Sequence, residues 1–257
     1  MLFETLPPET GRLFLWRSVP SVVIGKNQIP WRECDPNRIE SGGGIFARRQ
    51  TGGGAVYHDP GNLCYSLMMP RDGYDPDVVG NAIAAALRPL GLNLTVGPRH
   101  VLLAGDRKVS GTAFCYRRQR VLHHGTLLAD ADLNRLQDWL TPALIGIEGK
   151  GVTSVPSPVV NLCEIHSGFT TQQLFSALAS VCGSTTVVAP NADQVIAEQS
   201  RFSHDQWRYG LTPAFSLATL EGPIACRRGL VEQAPPKLSH LVNQPFSAVL
   251  HELTQYR

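Results

Sequence analysis

Residues 48–59 read Arg-Arg-Gln-Thr-Gly-Gly-Gly-Ala-Val-Tyr-His-Asp, and the rest of the chain is organised around that stretch. A short apolar run, Ile45 to Ala47, leads into the two arginines, and three consecutive glycines follow. Glycine supplies the backbone freedom for a tight loop and lets other atoms approach the main chain closely. Successive N–H groups in such a loop form an anion-binding nest, and a flanking arginine adds a planar positive fork. Ala55-Val56-Tyr57 reads as the start of a strand, with His58-Asp59-Pro60-Gly61 as the turn after it. Two readings stand side by side: a loop that cradles a phosphate or carboxylate, and a plain glycine-rich hairpin. Composition alone does not separate them.

The 257 residues suffice for one large domain, or one domain with a small appendage. Hydrophobic and charged fractions of 43% and 17% fit a globular protein with a full-sized core. A formal net charge of +2, without a basic tract, argues against nucleic acid as a partner. No stretch reaches the roughly eighteen apolar residues of a membrane span. The opening Met-Leu-Phe-Glu-Thr-Leu-Pro-Pro lacks the basic and apolar parts of a signal peptide. Cys34, Cys64, Cys115, Cys163, Cys182 and Cys226 show no CxxC spacing. They read as reduced thiols of a cytoplasmic protein, not as a disulfide frame or zinc site.

Outward from the loop, Leu13 to Trp16, Ser21 to Gly25 and Asn62 to Met69 have strand character, and a short helix fits Pro36 to Glu40. Val79, Ile83, Ala86, Leu87 and Leu90 recur at helical spacing across Asp75 to Leu90, with Gly91 where a C-cap belongs. Strands are expected at Leu94–Val96, Val101–Ala104, Lys108–Thr112 and Val121–Leu128, and helices at Leu133–Leu140, Thr171–Cys182 and Ala192–Phe202. From Glu221 onward the pattern is a strand near Ile224, a Pro-rich link and a helix around Phe246 to Tyr256. Runs of strands with separate helices predict an α+β fold whose sheet is mixed and mostly antiparallel.

Lys108 lies in Asp-Arg-Lys-Val-Ser-Gly-Thr-Ala, at a polar-to-apolar strand entry, where its ammonium is either aimed at a bound anion or solvated. In His123-His124-Gly125-Thr126, adjacent strand residues face opposite ways, so both histidines do not serve one metal. His58-Asp59 fits a turn better than a catalytic dyad, since no nucleophile is spaced to use it. There is neither a nucleophile elbow nor a P-loop.

Taken together, these segments resemble the lipoate–protein ligase A family. The blocks that carry the resemblance occur in order: Val22 to Gly25 with Asn27-Gln28 and Pro30-Trp31, Glu33-Cys34, Arg48 to Asp59, Asp106 to Ala113, His123 to Leu128, Lys150 to Ser157 with Asn161-Leu162, and Trp207 to Phe215. The resemblance implies a biotinyl/lipoyl ligase-like catalytic domain over 1–218 with flanking helices, and an abbreviated C-terminal unit over 219–257. It implies a two-step reaction. Lipoate and Mg-ATP give lipoyl-adenylate and pyrophosphate, and a lysine of a lipoyl domain then takes the lipoyl group as an amide. By position, Arg48, Gly53, Gly54, Ala55, Val56 and Lys108 are implied at ATP, and Lys108, Gly52, His58 and His124 at lipoate. Lys108 is the catalytic residue, and Mg²⁺ arrives on the ATP without protein ligands of its own.

The implied partners are lipoyl-domain carriers: E2 subunits of 2-oxoacid dehydrogenases, a glycine-cleavage H protein, or a specialised lipoate-binding protein. No nucleic acid or membrane is involved, and a monomer is expected. Three departures from the family pattern stand out. The chain opens partway through the family's first helix, at Phe3-Glu4-Thr5-Leu6. Gly97-Pro98-Arg99-His100 stands where ligases usually show Gly-Arg-Asn-Asp, and the C-terminal region is short. The alternatives are an ATP-independent lipoyl or octanoyl transferase and a non-catalytic lipoyl-domain-binding homologue.

Overall fold

In the computed structural model, which describes residues 11–182 and 191–256, the chain divides into two interleaved units. The first takes residues 11–19, 58–136 and 156–182. Its main sheet runs in the order β1 (Arg12–Trp16), β5 (Asn62–Pro70), β10 (Arg120–Leu128) and β9 (Thr112–Arg117), every pair antiparallel. The two nine-residue strands β5 and β10 pair along their whole length, from Asn62 opposite Leu128 to Pro70 opposite Arg120. A smaller meander joins β6 (Thr95–Val96), β7 (Leu102–Ala104) and β8 (Arg107–Ser110).

The helix Pro76–Leu87 begins as its sequence dictates. The Asp75 carboxylate accepts from Asp77 N–H, and Pro76 occupies the first turn, where its missing N–H costs nothing. After one 3₁₀ turn, Gly91 ends it at φ 78°, a left-handed position that favours glycine. Its apolar stripe, Val79, Ile83, Ala84 and Leu87, is buried in a core with Leu63, Leu67, Leu127, Leu174 and Leu178. Each Val, Ile or Leu side chain so removed from water contributes about 1.5–3 kcal/mol.

The second unit takes residues 20–57, 137–155 and 191–256. Strands β2 (Ser21–Ile24) and β3 (Ile45–Arg48) are parallel, which requires a crossover. The helices Pro30–Glu33 and Pro36–Ser41 supply it, the second capped by Asp35. Strand β4 (Val56–His58) lies on the other side of β2, giving the order β3-β2-β4. A separate antiparallel sheet runs β11 (Ile147–Gly149), β12 (Phe215–Thr219), β13 (Gly222–Arg227) and β14 (Leu230–Gln233). Trp31, fully buried, stacks on Tyr209 at 5.6 Å and meets the edge of Phe246 at 4.6 Å. Ile224, Val231, Phe246 and Leu253 thus share one core with Ile29, Trp31, Phe215 and Leu217.

The α+β class and the mostly antiparallel sheets are as expected. The strand expected at Lys108–Thr112 is two strands, because the chain changes partner at Gly111: β8 pairs with β7, and β9 pairs with β10. Strands β11, β12 and β14 had no clear signal in the sequence. Among the described residues no helix is long and apolar enough to cross a membrane. The expectation for Phe3 to Leu6 lies outside the described residues.

Candidate functional site

In the second unit, residues 49–55 connect β3 to β4 across the end of β2. The crossing is pinned by Arg49 N–H to Ile24 O at 3.0 Å and Lys26 N–H to Thr51 O at 2.8 Å. Glycine is required where the turn is tightest. Gly53 has φ 92°, and a Cβ on Gly25 would lie 2.1 Å from Gly53 O. A Cβ on Gly52 would meet nothing within 4 Å, so the loop is open on that side.

Arg49 gives this loop its orientation. Its Nη2 donates to Gly52 O (2.6 Å) and Gly54 O (2.8 Å), and its Nη1 donates to Val23 O (3.0 Å). Across a planar trans peptide the C=O and N–H point opposite ways. Tying down these carbonyls therefore turns the amides of Gly53 and Ala55 away from Arg49. Ala55 N–H donates to Ser154 Oγ at 2.8 Å. The amides of Gly52, Gly53 and Gly54 have no acceptor among the described residues. Burial pulls the Arg49 guanidinium down to about 10, which leaves it charged at neutral pH.

Arg48, implied at the phosphates, is only 2% exposed. Its Nε donates to Arg208 O (2.8 Å), Nη1 to Lys26 O (2.8 Å) and Gln28 O (2.9 Å), and Nη2 to Thr212 Oγ1 (2.9 Å). Every nitrogen of this guanidinium is thus committed to a protein acceptor. Arg48 braces the Gly25–Gln28 turn from beneath, and the arginine facing the glycine loop is its neighbour.

Ser154, in the Lys150–Ser157 block, ties three sequence blocks together. Gln28 Nε2 donates to Ser154 Oγ (3.1 Å), Gln28 Oε1 accepts from Gly25 N–H (2.8 Å), and Ser154 N–H donates to Glu33 Oε2 (3.1 Å). Arg49, Ser154 and Gln28 all stand inside the quoted blocks, yet nothing in their spacing assigned them these parts.

Lys108, His58 and His124 belong to the first unit. Lys108 sits on β8, where its N–H donates to Pro158 O (2.8 Å) and its carbonyl accepts from Val160 N–H (3.1 Å). The ammonium folds over Gly111, with Nζ 3.5 Å from where a Cβ on that glycine would stand. Burial, and then the nearby Arg99 charge, lower its pKa from the usual lysine value. His58 is buried, with Nδ1 3.3 Å from Cys64 Sγ and its ring tilted on Trp16 at 5.5 Å. Next to it, the Asp59 carboxylate accepts from Gly61 N–H and Asp132 N–H, both at 2.8 Å, the turn role expected of it. On β10, His123 is buried with Nδ1 3.0 Å from Tyr74 Oη, and half-buried His124 takes the opposite face.

A family model described as the lipoyl protein ligase A/B catalytic domain matches residues 1–182. Among solved structures, the chain is similar to the Plasmodium falciparum protein LipL1 in complex with lipoate (26% identity, TM-score 0.67), covering 92% of this chain and 78% of that one. It is also similar to a lipoate–protein ligase A bound with ATP (24%, TM-score 0.68), over 82% of this chain and 90% of the other. A third is the bi-partite lipoate protein ligase of Thermoplasma acidophilum, studied with its E2 lipoyl domain (24%, TM-score 0.67; 82% and 88% covered).

Proposed function

The chain belongs to the lipoyl protein ligase A/B catalytic-domain family, and from that premise we propose that it is an ATP-dependent lipoate–protein ligase. In the first step a lipoate carboxylate oxygen attacks the α-phosphorus of Mg-ATP and pyrophosphate leaves. In the second, the ε-amine of an acceptor lysine attacks the acyl carbon of lipoyl-adenylate, AMP leaves, and the amine proton passes to solvent.

The observation that carries this reading is the glycine loop. The amides of Gly52, Gly53 and Gly54 have no acceptor among the described residues, and the charged Arg49 behind the loop fixes the Gly52 and Gly54 carbonyls, an arrangement suited to phosphate oxygens. Gly53 through Val56 are the proposed phosphate-binding backbone, with Arg48 supporting it through the Gly25–Gln28 turn. Lys108 is proposed to hold the carboxyl oxygen and the α-phosphate, neutralising one anion as another attacks it. Gly52, His58 and His124 remain the proposed lipoate contacts. Mg²⁺ supplies charge neutralisation on the phosphates it arrives with. A lipoyl domain is the proposed acceptor, consistent with the E2 lipoyl domain studied with the Thermoplasma ligase.

A cysteine-dependent transferase needs an activated thiol. Here burial pushes Cys64 and Cys226 up to about 12 and raises Cys34 and Cys182 as well. Cys163 is raised by burial and by its hydrogen bond to Asp130. The test is the intact mass of a lipoyl domain after incubation with this protein, lipoate and Mg-ATP. A lipoyl mass gain only with ATP supports the ligase, and a gain from a lipoylated carrier without ATP refutes it.

A further inference from the structure

Residues 97–101 form a closed loop between β6 and β7, with Gly97 N–H donating to Val101 O (2.8 Å) and His100 N–H to Gly97 O (3.1 Å). Inside it Arg99 (φ 58°, ψ 26°) and His100 (φ 60°) are both left-handed, a conformation that side chains with a Cβ rarely adopt singly and more rarely in sequence. The loop is held from two sides. Thr112 Oγ1 donates to His100 O (3.0 Å), and His100 Nδ1 lies 2.6 Å from Asp77 Oδ1. His100 is thereby anchored, whereas Arg99 is exposed and makes no hydrogen bond or ion pair with any described residue. The loop meets Lys108 through Gly111-Thr112, since Thr112 holds His100 O while the Lys108 ammonium folds over Gly111. Arg99 thus brings its charge toward an ammonium that likewise has no carboxylate partner among the described residues. Strained backbone that brings a second positive charge toward a half-buried lysine costs stability, and an anion between them removes that cost.

We propose that Arg99 is an anion-binding residue that, with Lys108, grips one oxyanion of the substrate. The planar fork of Arg99 takes two oxygens side by side, and the lysine takes one as a point charge. Naming that oxyanion as the phosphoryl or carboxyl group of the adenylation step rests on the ligase reading above. The grip itself does not.

The chain has only four lysines, Lys26, Lys108, Lys150 and Lys237, so the ε-carbon resonance of Lys108 is assignable in ¹³C-lysine-labelled protein. That resonance is followed while inorganic pyrophosphate and, separately, octanoate are added to wild type, Arg99→Gln and Arg99→Lys. Arg99→Gln is expected to weaken binding at least tenfold and to move the free-protein titration of Lys108 to higher pH, with Arg99→Lys restoring most of both. Response to pyrophosphate alone identifies a phosphoryl site, and response to octanoate alone a carboxylate site. Equal binding by wild type and Arg99→Gln, or no response of wild type to either anion, overturns the proposal. An intact grip in a protein that never lipoylates with ATP would remove the ligase reading and leave the grip standing.

Discussion

Two adjacent arginines differ in what their donors reach, and the difference follows from strand alternation. Arg48 spends its guanidinium on carbonyls of Lys26, Gln28 and Arg208, while Arg49 spends its own on the glycine loop. Removing Arg48 leaves several buried carbonyls without donors, so Arg48→Ala should lose about 3–5 kcal/mol, measurable as a lower urea midpoint. Lys108→Ala should abolish ATP-dependent lipoylation of a lipoyl domain, with thermal unfolding at or above the wild-type temperature. The sign follows from the depressed folded pKa: protonated Lys108 is disfavoured by folding, so deleting it below that pKa removes a cost. Persistent lipoylation by Lys108→Ala would sink the assignment. That these residue types suit an anion was legible in the sequence. Which of the two arginines faces the loop was not, because one-residue parity depends on where β3 packs.

At the scale of elements, the loop keeps its shape because Gly25, just past the end of β2, lies under Gly53. Gly25→Ala places a methyl 2.1 Å from that carbonyl, which forces the backbone to shift. ATP affinity by calorimetry should fall roughly tenfold or more, since amides aimed at charge are worth about 1–3 kcal/mol each. Unchanged affinity would mean that the loop does not hold nucleotide. On β10, His123 is 1% exposed and bonded to Tyr74, and burial followed by the His100 charge lowers its pKa to about 4. The unfolded chain takes up the proton near 6.5 and the folded chain only near 4, so stability falls as pH drops through that window. The loss should approach about 3 kcal/mol in denaturant titrations, and His123→Phe should flatten it. A Phe variant with the same acid slope assigns the slope to another group. The helix Pro76–Leu87 and strands β5 and β10 were readable because period and caps are local properties. Strands β12 and β14 were not, because each is short and is fixed by its pairing with β13, not by a local pattern.

Over the whole molecule, the described residues pass between the two units at 19–20, 57–58, 136–137 and 155–156, and the chain is in the second unit again from 191. The segment from 219 onward places Ile224, Val231 and Phe246 in the core built on Trp31, Phe215 and Leu217. A chain ending at residue 218 should therefore expose that core and lose the near-ultraviolet dichroism of Trp31. Retention of the signal and of cooperative unfolding would show that 219–257 is separable. The sequence by itself determined the α+β class and the family, and it singled out the glycine loop and Lys108 as the residues on which the proposed anion chemistry rests. These are carried by short contiguous blocks whose residue types act through local backbone geometry. Only the tertiary structure decided that Arg48 is buried and that Ser154 and Gln28 fasten the loop. Those facts come from contacts between residues far apart in the chain, which packing selects and no local pattern records.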